Sequence, residues 1–216
     1  MPEKFISMSI NNIQVGVVGG AGYTGGELLR LLVNHPHVEI NFVYSSTRAG
    51  QPISNTHPDL IGILDSPFSG ELNAEIDVLF LCMGHGNSST FLHEHTVNDN
   101  TKIIDLSNDF RLTADRDFMG RSFVYGLTEV NINQIKSAQA IANPGCFATA
   151  IQLALVPLAA AGKLQNEVHV NAITGSTGAG AVPSATSHFS WRNNNISYYK
   201  PFTHQHLGEI GETLAQ

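Results

Sequence analysis

Short apolar runs, each cut off by glycine or a polar turn, recur through the first two thirds of the chain. Ile13 to Val18 is β-branched, of strand length, and stops at glycines. Glu27 to Val33 follows with apolar positions that suit a buried helix face, and Val38 to Tyr44 reads as a second strand, completing a β-α-β unit of the expected size. Ile76 to Cys82 and Lys102 to Leu106 are further strand-length runs, separated by a polar stretch, Gly86 to Val97, long enough for a helix. Gln139 to Ala142 reads as the last strand of the series, ahead of a helical run from Phe147 to Ala161. Strands alternating with helices predict an α/β fold built on a doubly wound parallel (Rossmann) sheet.

The pattern changes after Gly162. Val168 to Thr174 reads as a strand leading into Gly175-Ser176-Thr177-Gly178-Ala179-Gly180, and the remainder is rich in Asn, Ser, His and aromatic residues. This divides the chain into a Rossmann domain over 1–147 and, over 148–216, the first part of an α+β domain that the sequence does not finish. At 216 residues that division leaves one full core and part of a second. Hydrophobic residues at 42% and charged residues at 13% exclude a disordered or fibrous chain. A net charge of −7 argues against nucleic acid, and no run approaches membrane-spanning length. Cys82 lies in an apolar run and Cys146 in a turn, so free thiols in a reducing, cytoplasmic setting are expected rather than a disulfide.

Two segments carry the chemistry. Gly20-Ala21-Gly22-Tyr23-Thr24-Gly25 follows a strand and opens a helix, the context a dinucleotide fingerprint needs: the first glycine for the tight turn, the second for backbone approach to the pyrophosphate, the third for close helix packing. An acidic residue at the end of the second strand would indicate NAD. That place reads Tyr44-Ser45-Ser46-Thr47-Arg48, and the hydroxyls of Ser45 and Ser46 with the Arg48 guanidinium suit the 2′-phosphate of NADP(H). A solvated loop arginine is the alternative for Arg48.

Asn143-Pro144-Gly145-Cys146 sits between a strand and a helix, which puts the Cys146 thiol where the helix dipole and free N–H groups favour thiolate. The competing reading is a packed cysteine, which suits Cys82 better. A nucleophile of this kind needs an acid–base partner. His204-Gln205-His206 stands out among ten histidines because it lies in an aromatic, polar segment; in a strand the two rings would face opposite sides. His35-x-His37 and His93-x-His95 lack a third ligand, so no metal site is expected. Asp105 to Leu112 begins at a strand end, so Ser107 and Arg111 can project toward the edge that carries Cys146, where arginine suits a phosphate or carboxylate.

In their order, six motifs resemble the N-acetyl-γ-glutamyl-phosphate reductase family: Gly19 to Leu28, Asp105 to Leu112, Tyr125-Gly126-Leu127, Asn143 to Cys146, Gly175 to Gly180, and His204-Gln205-His206-Leu207-Gly208-Glu209-Ile210. The resemblance runs from Ile13 to Ile210. It implies reduction of an acyl phosphate by NADPH in arginine biosynthesis, through a thioester on Cys146 that releases inorganic phosphate. It further implies acid–base work by His204, with His206 as the alternative, a Gly175 and Gly178 loop flanking cofactor or substrate, and Ser107, Arg111 and Asn143 near the substrate. A homo-oligomer, dimer or tetramer, follows from the same likeness. Family members continue further, through more sheet and a closing helix.

Ala181-Val182-Pro183 and Phe189 to Asn195 depart from the family's pattern, which leaves the N-acyl group open: an acidic one such as succinyl could use Arg192. A sister reductase acting on aspartyl or aminoadipyl phosphate, and a nucleotide-binding protein without catalysis, are the competing readings.

Overall fold

The computed structural model describes residues 12–165 and 167–215. In chain order the elements are β1 (Ile13–Val18), α1 (Tyr23–Leu32), β2 (Val38–Tyr44), β3 (Val78–Leu81), α2 (Asn87–Glu94), β4 (Lys102–Asp105), β5 (Asp117–Phe118), β6 (Arg121–Tyr125), α3 (Thr128–Ser137), β7 (Ala140–Ala142), α4 (Cys146–Ala160), α5 (Phe189–Arg192) and α6 (His206–Leu214). The seven strands form one sheet in the order β2-β1-β3-β4-β7-β6-β5, parallel except where β5 runs against β6.

Alternation along the strands sorts the core onto the two faces of this sheet. Val15, Val17 and Val43 pack with Leu29 and Leu32 of α1, while Val18, Phe42, Leu79, Leu81 and Ile103 pack with Phe91 and Leu92 of α2. Helices therefore cover both faces, as a doubly wound sheet requires. Because β1, β3, β4, β6 and β7 are parallel, the segments that follow them all leave from one edge.

The strand order is new, and one expected strand is missing among the described residues. β7 is the last strand in the chain but not at the rim: it lies between β4 and β6. The hydrophobic pattern does not announce β6, because of its five residues only Phe123 is buried. Val168 to Thr174 forms no strand; Ile173 is 90% exposed, and among the described residues none of this stretch's backbone groups bonds to another segment's backbone. The His204–His206 segment is likewise a turn entering α6 rather than a strand.

Candidate active site

At the end of β1 the chain turns on Gly19, whose φ of +78° is open to glycine at little cost. The tight turn thus falls one residue before the glycine expected to make it. Gly25 is needed for contact, since a β-carbon there would stand 2.6 Å from the Gly19 carbonyl oxygen. Gly22 ends the turn as the residue preceding α1, with no side chain capping the helix. The first N–H groups of α1, at Tyr23, Thr24 and Gly25, are therefore left for an anion.

At the end of β2, Ser45 is buried, its N–H bonded to the Ser69 carbonyl at 3.0 Å, while Ser46 and Arg48 are exposed. Arg48 Nη1 donates to Thr56 Oγ1 at 3.1 Å.

The segment after β4 is a buried brace. Asp105 accepts from Ser88 Oγ at 2.5 Å and Ser107 Oγ at 2.7 Å, and burial raises its carboxyl above the usual range against those bonds. Asp109 takes the N–H groups of Gly86 and Ser89 at the start of α2; burial opposes ionisation there, but these bonds win and hold it low. His85 Nδ1 accepts from the Asn108 N–H at 3.1 Å, and burial followed by the Arg111 charge lowers its pKa. Arg111, buried, donates to Asn143 O at 2.8 Å, Leu106 O at 3.0 Å and Glu209 Oε1 at 3.2 Å. Ser107 and Arg111 thus reach the edge that carries Cys146, but as internal supports of its turn.

Pro144 and Gly145 are buried and Cys146 is exposed as the first residue of α4. The Asn143 N–H bonds Asp105 O at 2.7 Å, which ties the turn to β4. From α6, Glu209 reaches across: its Oε2 accepts the Gly145 N–H at 3.1 Å and the Tyr125 hydroxyl at 2.7 Å. Burial, then the Glu209 carboxylate, push the Tyr125 phenol well up. Gln152 of α4 donates to the Glu209 carbonyl at 2.9 Å, completing the α4–α6 contact.

The two histidines share one side of this junction, with ring centroids 4.4 Å apart. The His206 ring packs against Gly145, where any β-carbon would strike its Nε2 end, and its Nε2 is 3.8 Å from Glu209 Oε1. Burial outweighs the Glu209 charge and pushes its pKa down to about 4, which makes it neutral near pH 7. His204 is half-buried, 5.5 Å edge-on from the Phe147 ring, with Nε2 3.4 Å from the Tyr199 hydroxyl; burial and then Lys200 lower its pKa. Burial and the nearby Cys146 thiol raise the Tyr199 phenol, while Arg192 pulls it down, so Arg192 lies within electrostatic reach of the same corner. The Gly175–Gly180 loop is an exposed turn, and among the described residues no hydrogen bond joins Gly175 or Gly178 to the glycine turn or to Cys146.

Gln152 and His85 were not singled out in the sequence, and Glu209 and Tyr199 entered it only within longer segments, with no role of their own. Only Glu209 carries a usable signal, its i+3 spacing from His206, which puts both on one helix face.

Fold and site together define a Rossmann-type dinucleotide-binding protein that presents a cysteine at the carboxyl edge of its sheet. Residues 14–138 match the family model "Semialdehyde dehydrogenase, NAD binding domain", and residues 146–216 match "Semialdehyde dehydrogenase, dimerisation domain". The chain belongs to the semialdehyde dehydrogenase family. It is 61% identical over 204 residues to the N-acetyl-gamma-glutamyl-phosphate reductase of Flavobacterium johnsoniae and 55% identical over 204 residues to that of Christiangramia forsetii. Each match covers 94% of this chain, which spans 63% and 62% of the respective relatives' length. Among solved structures, aspartate semialdehyde dehydrogenase with NADP from Candida albicans superposes with a TM-score of 0.52 at 19% identity, over 71% of this chain and 48% of that one, a likeness of fold alone.

Proposed function

We propose that the chain carries the cofactor site and the catalytic thiol of an NADPH-dependent N-acetyl-γ-glutamyl-phosphate reductase of arginine biosynthesis, divided near residue 147 into a cofactor domain and a catalytic domain. The observation that carries the reading is the clamp of the Gly145–Cys146 turn by Glu209, which packs His206 against Gly145 and His204 against Phe147, the residues on either side of an exposed thiol. The relatives' names supply the substrate, an acyl phosphate.

Cys146 Sγ attacks the acyl carbon, the carbon–oxygen bond to phosphate breaks, and inorganic phosphate leaves with the thioester formed. NADPH, when bound, supplies the hydride that takes the acyl group to the aldehyde level. His204 is the group to give a proton to the developing oxyanion and take it back as the carbon–sulfur bond breaks and the Cys146 thiolate leaves. Its half-buried ring, between Phe147 and Tyr199, is more reachable than that of His206, which is spent on packing against Gly145. The uncapped start of α1 fits a pyrophosphate, and Ser46 and Arg48 are exposed at the surface, where they suit the 2′-phosphate. A homo-oligomer accords with the dimerisation-domain match, and a reducing cytoplasmic compartment with two free thiols.

The test is the reverse reaction: the protein with NADP⁺, phosphate and N-acetylglutamate 5-semialdehyde should generate the absorbance of reduced nicotinamide. Faster turnover with aspartate semialdehyde or an N-succinyl analogue would reassign the substrate, and none with any of them would leave only a nucleotide-binding module. In that assay His204→Asn should lower turnover by about two to four orders of magnitude. Unchanged turnover beside an inactive His206→Asn protein would exchange the two roles. Arg48→Asp should weaken NADPH by about tenfold or more while barely affecting NADH, because it sets a like charge against the 2′-phosphate. Equal losses for the two cofactors would remove Arg48 from the site.

A further inference from the structure

His57 lies outside every motif described above, in the connection between β2 and β3, and is 5% exposed. Its Nε2 stands 2.7 Å from the carbonyl oxygen of Gly20, in the middle of the glycine turn. A carbonyl only accepts, so the ring must carry its proton on Nε2 and donate it. The ring also fills the space beside α1 that a side chain on Gly26 would need: a β-carbon there would stand 2.5 Å from His57 Cε1.

The neighbours of His57 are tied to the same site. Thr56 receives the bond from Arg48, and Asp59 takes a bidentate pair from Arg30 of α1 at 2.6 and 3.0 Å. Within the four residues Thr56 to Asp59, three side chains thus bond to the loop after β2, the glycine turn and the body of α1. Arg30 and Asp59 are at the surface, where such a pair adds little stability; what is buried is the His57–Gly20 bond.

That bond has a directional consequence. The Gly20 carbonyl and the Ala21 N–H belong to one peptide plane, all peptides of the described chain are trans, and in a trans unit the two groups point in opposite directions. With the carbonyl turned to His57, the Ala21 N–H is turned away from it, and it makes no hydrogen bond among the described residues. The adjoining N–H groups at the start of α1 lack a side-chain cap as well.

We propose that His57 is a positioning residue for the cofactor: by holding the Gly20 carbonyl it aims the Ala21 N–H at the pyrophosphate. The proposal rests on the dinucleotide reading of the glycine turn. Without the bond the peptide is free to rotate, and one donor to a doubly charged group is lost.

The test is equilibrium binding to the protein of three ligands: NADPH, 2′-phospho-ADP-ribose, which keeps the pyrophosphate, and adenosine 2′-monophosphate, which lacks it. His57→Phe, which keeps a ring but removes the donor, should weaken the first two about tenfold, the scale of one charge-assisted hydrogen bond, and leave the third unchanged. His57→Gln, with an amide N–H in reach of the same carbonyl, should recover most of the loss. Equal weakening of all three ligands, or none, would overturn the assignment, because a merely structural role does not discriminate by pyrophosphate. Wild-type protein that binds none of the three would overturn the dinucleotide reading and the His57 role with it. Should the Phe variant not fold, the ring ¹⁵N shifts of the unaltered protein decide: a proton on Nε2 supports the role, and a proton on Nδ1 alone refutes it.

Discussion

Replacing Cys146 by serine should abolish turnover while leaving NADPH binding intact. The thiol is exposed at the first position of α4, whereas the donors expected to hold the dinucleotide belong to α1 and its turn, so the substitution touches the reaction and not the cofactor. A serine hydroxyl is a far weaker nucleophile near neutral pH and would leave an ester in place of a thioester. The expected loss is on the order of 10⁴-fold or more, the scale of removing a nucleophile outright. Thiol alkylation gives a second reading on the same residue: Cys146 should react long before Cys82, which is buried and whose thiol burial pushes up to about 12. A serine variant with near wild-type rate, or equal labelling of the two cysteines, would end the thioester mechanism.

Glu209→Ala should cost more stability than any surface substitution in the chain. Its carboxylate is 3% exposed and takes three donors at once: Arg111, the Tyr125 hydroxyl and the Gly145 N–H. Truncation leaves the Arg111 guanidinium buried without its counter-charge, a change that destabilises by about 3–5 kcal/mol. For a chain of this size that is a fall in Tm of roughly 6–20 °C. Glu209→Gln should lie between, since an amide oxygen still accepts one or two of the three donors but no longer balances the charge. Turnover should fall with both variants even at temperatures where the protein is folded, because the Gly145 N–H that Glu209 holds is one residue from the nucleophile. A Tm within about 2 °C of wild type for Glu209→Ala would mean that the pair is no stronger than an exposed ion pair.

How far the sequence could be read depends on how local the physics is. β1, α1 and β2 were legible because β1 ends in four buried residues, β2 alternates apolar with polar positions before its buried Phe42 and Val43, and glycine must stand where the chain turns sharply against a helix. The Cys146 junction was legible for a similar reason: strand, turn and helix follow one another without a gap, so the thiol's place at a helix start needs no distant partner. The β5–β6 hairpin was not, because its strands are short and mostly part-exposed, so they carry no alternation strong enough to mark them.

The sequence by itself determined the fold class, the glycine turn and the position of the thiol, since each follows from residues within one or two elements of each other. Tertiary structure alone decided that β7 enters the sheet beside β6, that His204 and His206 face the same junction, and that Arg111 and Ser107 serve as braces. It alone paired Arg111 with Glu209 across 98 positions and His57 with Gly20 across 37. A buried charge or a buried ring N–H must find a partner wherever the fold supplies one, and that requirement leaves no period or spacing in the chain from which the partner can be read.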